Sequence, residues 1–445
     1  MLEVLNTLLW GLGTLALILG TGAWLTLRTG GFPQRNLGWA LALSLGREAR
    51  RKGRGGVSPF GSLMTALAST VGTGNIVGVA AALVSGGPGA LVWMELAALL
   101  GLAAKFAECM LAVKYRHVRR DGTRWGGPMA VMETRLGPAG AVLGRFYALF
   151  ALLMAFAMGA MAQSGALADT FSSAFTLPRW RVGLVTATLA LTILLGGIRR
   201  IADISTVLVP VMALLYLGGG LAVILGNLRR LPEAVTLMLR CAVAPEAALG
   251  GALGIVTRRE ALRWGVARSV FSNEAGLGSA AITAACADTE DPVKQGLISM
   301  TGVFFDTMVI CTVTGLAICC SGTLGTADGA GRPLTGAALT LRAFETVLGP
   351  LAPWLIGVAL GLFAFTSVLG CAVQAETTAS YLLGPEAVRP CRVLYGLAVF
   401  AGAVIPMATV LQLADLANAL IAFPNLVCLL LLSDEIAGEC RRKDR

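Results

Sequence analysis

Histidine is almost missing: the 445 residues contain one, His117, in a stretch dense with arginine. Placed in a charged loop, this single imidazole leaves no His-dependent triad, His-rich zinc site or bis-histidine haem to be built, which removes most hydrolytic and redox enzymes. Charge is scarce too. Asp, Glu, Lys and Arg make up 13% of the chain, against about 25% in an ordinary soluble protein, and mean hydropathy is +0.76. A chain so poor in polar residues cannot cover itself in water. The bilayer is its solvent, and only helices or a closed barrel can cross it. Unbroken apolar runs at 8–20, 184–195 and 426–432 lack the alternation of a membrane barrel. No GxxxxGK[ST] run is present, which argues against direct ATP drive. The first twenty residues hold Glu3 and no basic residue, so they read as a permanent helix, not a signal peptide.

Cysteine is present ten times, but Cys109, Cys286, Cys311, Cys319, Cys320, Cys371 and Cys428 sit in apolar segments without metal spacing. They read as small buried hydrophobes. Apolar stretches long enough to span, about 20 residues each, fall at 5–27, 62–84, 89–114, 143–171, 182–198, 204–226, 262–287, 296–319, 352–383, 393–409 and 411–433. The predicted fold is therefore an all-α polytopic membrane protein of about 11 transmembrane helices, a single membrane domain over 1–445, with short surface or re-entrant helices around 231–253.

The net charge of +10 is distributed as basic cytoplasmic loops require. Arg28, Arg35, Arg47, Arg50, Arg51, Lys52 and Arg54 follow the first span; Lys114, Arg116, Arg119, Arg120, Arg124, Arg135 and Arg145 follow the third. Arg199, Arg200, Lys294, Arg389, Arg392 and the basic residues at 441–445 alternate onto the same side, which then holds 23 of the 35 basic residues. This places the amino end outside and the carboxyl end in the cytoplasm. One segment resists: Arg229, Arg230, Arg240, Arg258, Arg259, Arg263 and Arg268 fall outside by parity.

Two spans are badly formed as helices. One reads Ala68-Ser69-Thr70-Val71-Gly72-Thr73-Gly74-Asn75, the other Phe271-Ser272-Asn273-Glu274-Ala275-Gly276-Leu277-Gly278-Ser279. Each interior glycine costs about 1 kcal/mol relative to alanine, and a polar side chain at depth costs more unless partnered. They occupy the second and seventh spans, five apart, where the halves of a five-plus-five inverted repeat would each begin. Discontinuous helices at matching positions point to a transporter site, with freed carbonyls for a cation and amides for an anion.

These runs, with Gly86-Gly87-Pro88-Gly89-Ala90, Lys105-Phe106-Ala107-Glu108, Gly126-Gly127-Pro128-Met129, Gln295-Gly296, Asp306-Thr307 and Cys311-Thr312, resemble the alanine or glycine:cation symporter family, bacterial sodium:amino-acid symporters. The resemblance covers nearly the whole chain. It implies a LeuT-type fold with an extra amino-terminal helix (5–27) before two five-helix repeats, 62–226 and 262–433. Thr73 and Gly74 would meet the substrate carboxylate, and Gln163, Phe271, Asn273, Gly276 and Cys371 would line the pocket. Sodium would sit among the carbonyls of Ala68 and Val71 and the hydroxyls of Thr366 and Ser367, oxygens that suit a hard cation. Thr70, Asn75 and Asp306 are candidates for a second ion.

The chain departs from the family at Gly370-Cys371, where members usually carry Gly-Trp, and at Ala130-Val131 in place of two tyrosines. Loss of the tryptophan wall implies a wider substrate side chain or a weaker grip on alanine. Among the intramembrane charges, Lys105 and Glu108 are spaced as a neutralising pair, whereas Glu274, Asp306 and Glu376 lack an opposite charge nearby in sequence. The expected function is sodium-coupled uptake of a small neutral amino acid, with no organic cofactor, no catalysis and no nucleic-acid partner. Proton coupling through Glu274 or Asp306, a non-transporting amino-acid sensor and a membrane-embedded enzyme using Ser, Cys or carboxylates are the alternatives.

Overall fold

The computed structural model describes residues 10–51, 57–118, 122–243, 257–327, 329, 331–405 and 407–444. The start of the expected first helix, Lys52, Arg54, Arg119, Arg120, Arg445 and all of 244–253 lie outside these residues. The regular structure of the described residues is helical apart from one antiparallel pair, His117–Val118 with Arg124–Trp125, where His117 stacks on Trp125, and a lone bridge between Ala327 and Pro333.

Among the described residues, seven helices are long and apolar enough to cross a membrane, or eight when the bent pair Pro59–Thr70 and Thr73–Gly86 is taken as one span. The eleven expected spans exceed this because three fall short as single rods. Leu12–Arg28 has 17 described residues and Arg179–Leu194 has 16. The third is split into Arg258–Asn273 and Ser279–Ala285. The expected span 143–171 is preceded by a separate short helix from Pro128, because Gly137 (φ +63°, ψ −144°) leaves helical conformation just before Pro138 and kinks the chain between two helices.

Local chemistry sets the helix ends. Ser58 Oγ accepts from the Gly61 amide, with Pro59 in the first turn of helix α1 (Pro59–Thr70). Thr257 and Glu260 form a capping box at the start of α2 (Arg258–Asn273). Asp291 caps the Lys294 amide before α3 (Pro292–Val303). Each supplies an acceptor to amides that the first turn leaves unpaired. Leu184, Val185, Leu189, Val207, Val211, Leu214, Leu221 and Leu225 are exposed. In water such a belt would be a liability; against hydrocarbon it is the solvated face.

The basic loops gather on one face. Lys114 pairs with Glu435 and Glu439, Arg135 with Glu435, Arg124 with Asp288 and Glu290, Lys294 with Glu48, and Lys443 with Asp291. The resisting segment lies at the opposite face, where Arg230 donates to the Ser321 carbonyl. The two faces are called the Tyr115 face and the Ser321 face below.

Candidate substrate and ion site

Helix α1 stops at Val71 because Gly72 turns its amide away. In a continuous helix the Gly72 N–H would reach the Ala68 carbonyl; here it donates to Asn75 Oδ1 at 3.0 Å. The chain then makes one 3-10 turn, Thr73–Asn75, and resumes as Val77–Gly86 at 62° to α1. Carbonyls on one side of the break and the first amides on the other are thereby released from helical pairing.

The amide side faces a cleft of about 260 Å³ that includes Thr73, Met158, Gln163, Asp169, Phe271 and Leu411. Thr73 Oγ1 donates to Gln163 Oε1 at 3.3 Å. Gly74 lies under the Phe271 ring, so close that a Cβ there would come within 3.3 Å of it. The Arg268 guanidinium lies over the same ring, 5.2 Å from its centroid. The cleft combines a short polar patch with apolar walls, the usual make-up of a small-molecule site.

The carbonyl side meets helix α4 (Ala352–Leu383). Ser367 Oγ donates to the Val71 carbonyl at 3.5 Å. A Cβ on Gly72 would stand 2.8 Å from Ser367 Oγ, and one on Gly370 would stand 2.4 Å from the Ser69 amide. Both glycines are needed for this approach. Thr366 turns another way: its hydroxyl donates to the Leu362 and Phe363 carbonyls and touches Met212 Sδ at 3.2 Å. Ser367 thus reaches the Val71 carbonyl and Gly370 packs against the backbone of Ala68 and Ser69, while Thr366, next to Ser367, has its proton spent on its own helix. The donors are all neutral oxygens and fit a sodium ion as cargo. Among the described residues no group of three His, Cys, Asp or Glu side chains gathers as a transition metal would need.

The second break is built differently. Glu274 ends α2 in a left-handed conformation (φ +53°), and Gly276 and Gly278 follow at +84° and +79°. Helix α5 (Gly89–Lys114) supplies Glu108, whose Oε2 accepts from the amides of Gly276 at 3.1 Å and Gly278 at 3.0 Å, and from Asn425 Nδ2 at 3.1 Å. Lys105 Nζ lies 3.4 Å from Glu108 Oε1 and donates to the Glu274 carbonyl at 3.1 Å. Tyr147 donates to the Leu277 carbonyl. The freed backbone here is taken up by protein side chains.

Three residues expected in the pocket therefore point elsewhere. Gly276 is bonded to Glu108 and Asn425 and packs on Leu426. Asn273 donates to Thr307 at 3.0 Å and accepts the Ala275 amide. Cys371 packs on Gly159, where a Cβ would come within 2.2 Å of the cysteine Cβ. Absence of a tryptophan at 371 is thus matched by glycine at 159; it lets the helices touch and does not widen the cleft.

Asp306 lies in a π-helical stretch, Phe304–Cys311, between α3 and Thr312–Ser321. Its carboxylate accepts from Asn75 Nδ2 at 2.7 Å, Ser272 at 2.6 Å and Thr307 at 3.2 Å. With Asn75 Oδ1 held by Gly72, the amide presents hydrogens to Asp306. The cluster is a hub joining both breaks to the π-helical turn, not an oxygen cage around a cation, and no bond of Thr70 reaches it. Glu376, which lacked a partner in sequence, is paired through both oxygens with Arg392 at 2.8 Å. It lines a second cleft, of about 290 Å³, on the Tyr115 face with Arg124, Trp125 and Arg199. Nine of the ten cysteines are buried and all are free, as their apolar context implied. Sequence reading missed Glu108 as the clamp on the second break; the Lys105 to Glu108 spacing marked a buried pair but carried no sign of Gly276 and Gly278, which lie 168 and 170 positions away.

A family model described as the sodium:alanine symporter family matches residues 1–442. An uncharacterized transporter of Haemophilus influenzae is 43% identical over 99% of this chain and 95% of its own length. The sodium/alanine symporter AgcS of Methanococcus maripaludis is 40% identical over 99% and 96%. A probable sodium/glutamine symporter of Bacillus subtilis, GlnT, is 36% identical over 97% and 87%. Among solved structures, the manganese transporter of Eremococcus coleocola aligns with 84% of this chain and 77% of its own at a TM-score of 0.48 and 13% identity. By the near full-length match and the relatives' identity, the chain belongs to the sodium:alanine symporter family.

Proposed function

We propose that the protein carries a small neutral amino acid into the cell together with sodium, by alternating access about the first helix break. The observation that carries this reading is the split at Val71–Gly72. One polar discontinuity offers unpaired amides beside Thr73, Gln163 and Phe271 to a carboxylate, and carbonyls beside Ser367 to a cation. The substrate carboxylate would meet Thr73 and Gly74, and its side chain would lie among Phe271, Met158 and Leu411. Sodium would take the carbonyls of Ala68 and Val71 and the hydroxyl of Ser367, with Thr366 after rotation of its hydroxyl. The reading needs a single ion, since the Asp306 carboxylate is engaged by Asn75, Ser272 and Thr307.

Alternating access and the LeuT-type repeat are supported by three features. The breaks fall five spans apart, and the matching helices pair: Gly89–Lys114 packs along Pro292–Val303, and Arg179–Leu194 along Val388–Val404. The clefts of Thr73 and Glu376 open on opposite faces. Eleven helices with the amino end outside follow from placing the Tyr115 face, which collects the basic loops, in the cytoplasm. Energy would come from the sodium gradient, at about 2.3 kcal/mol per charge for each 100 mV plus the concentration term.

The test is uptake by reconstituted protein in sodium and in choline, against a panel of competing amino acids. Sodium-dependent uptake of alanine, glycine or a similar substrate is the expected outcome; equal uptake in choline overturns the coupling, and absence of counterflow with labelled substrate overturns transport.

A further inference from the structure

The cluster behind the second break does not balance its charges. Glu108, Glu274 and Lys105 are each 2% exposed or less, and they bring two carboxyls to one ammonium. Lys105 is committed to Glu108 and to the Glu274 backbone carbonyl. Glu108 Oε2 takes three donors, the surroundings of an ionised carboxylate. The Glu274 carboxyl has Ser279 Oγ on one oxygen and no partner on the other. The remaining titratable groups packed around it are Asp306 from the π-helical turn, Tyr147 from Pro128–Met154 and Cys371 from α4. None of these is a cation. An ionised carboxylate with an orphaned oxygen in such a place is costly, and a neutral acid is not.

We propose that Glu274 is a proton-binding site: its carboxyl holds a proton while the second break is closed and gives it to water when that break hydrates. The acid can donate to Ser279 Oγ or accept from it, and the O–H bond breaks only when water reaches the segment from the Tyr115 face, leaving a carboxylate and a hydrated proton. Binding of the proton stands on the cluster alone. Its release rests on the alternating-access reading above.

Infrared spectroscopy of the purified full-length protein in lipid tests the bound proton without transport. A carbonyl band of a protonated carboxylic acid, identified by its shift in deuterated water near neutral pH, is expected in the wild type, lost in Glu274→Gln and kept in Glu108→Gln and Asp306→Asn. A band unchanged in Glu274→Gln, or lost instead in either of the others, overturns the assignment. Should Glu274→Gln not fold, wild-type protein carrying carbon-13 glutamate must shift the band; a band that does not shift overturns it equally. For release, counterflow of labelled alanine is expected to fall at alkaline pH in the wild type and to flatten in Glu274→Gln. A flat wild-type profile removes the release step, whereas absence of any counterflow removes the transport reading and leaves the infrared result standing.

Discussion

The two helix breaks solve one problem in opposite ways. Each strands backbone groups inside a membrane protein, where an unsatisfied group costs several kcal/mol. At Val71–Gly72 the groups are left to neutral, weak partners: a 3.5 Å contact from Ser367 and the self-closing bond from Gly72 to Asn75. At Glu274–Gly278 the amides are taken by an ionised carboxylate that is itself held by an ammonium. Open bonding capacity at one break and saturation at the other fit the proposed division between a ligand site and a place the fold must hold. Two similar glycine-rich runs therefore carry different duties.

The comparison breaks most directly at Glu108. Its replacement by alanine orphans two amides and leaves Lys105 buried without its partner, a loss of about 3–5 kcal/mol. The expected outcome is a large fall in melting temperature and yield in detergent. Glu108→Gln, which keeps an acceptor, should lose less. If both variants melted like the wild type, the second break would not be clamped from α5.

Gly72→Ala acts on the other break. The added methyl enters the space of Ser367 Oγ, and overpacking of this kind costs about 1–3 kcal/mol. Placed at the ion oxygens, that loss should appear as a ten- to hundredfold weaker apparent sodium affinity, about 1.4 kcal/mol being tenfold, with little change in melting temperature. A variant with unaltered sodium dependence would detach the carbonyl side from the ion. Phe271→Ala should have a smaller effect: the ring is only partly buried, so removing this apolar wall from the cleft is expected to raise the uptake KM at most about tenfold, roughly 1.4 kcal/mol, leaving sodium affinity nearly intact.

How far these differences could be read from the sequence depends on the range of the interaction. Glycine and asparagine in apolar runs are local signals, so the positions of both breaks and the bent span were legible. So was the Lys105 to Glu108 pair, one helical turn long. Direction was not. Asn273 sits two residues after Phe271, yet a helix turns 100° per residue, so Asn273 faces Thr307 while Phe271 covers Gly74. Nor was compensation across helices: Cys371 is explained only by Gly159, more than two hundred positions earlier, and Glu376 only by Arg392 on the next helix. Helix count was legible as hydropathy, but three segments needed tertiary neighbours to reveal that they are short or split.

The smallest expected effect sharpens how α5 is held at its end. Lys114, two turns beyond Glu108, pairs with Glu435 of the terminal helix Ser433–Asp444, and Arg135 and Tyr115 reach the same carboxylate. Burial pushes the Glu435 carboxyl up, but hydrogen bonds from Lys114 and Tyr115 and the charges of Lys114 and Arg135 together leave it below the usual glutamate range. A carboxyl lowered by folding contributes stability that is present above its unfolded pKa of about 4.3 and is lost as pH falls through the folded value. Melting temperature should therefore decline on acidification below about pH 4.3, and Glu435→Gln should lower it at neutral pH and flatten that part of the decline. Because the group is partly solvated the shift should be a small fraction of that from Glu108→Ala. If instead the two variants destabilised equally, the buried clamp and the solvated pair would be holding α5 alike, and the contrast between a charged, closed break and a neutral, open one would lose its energetic basis.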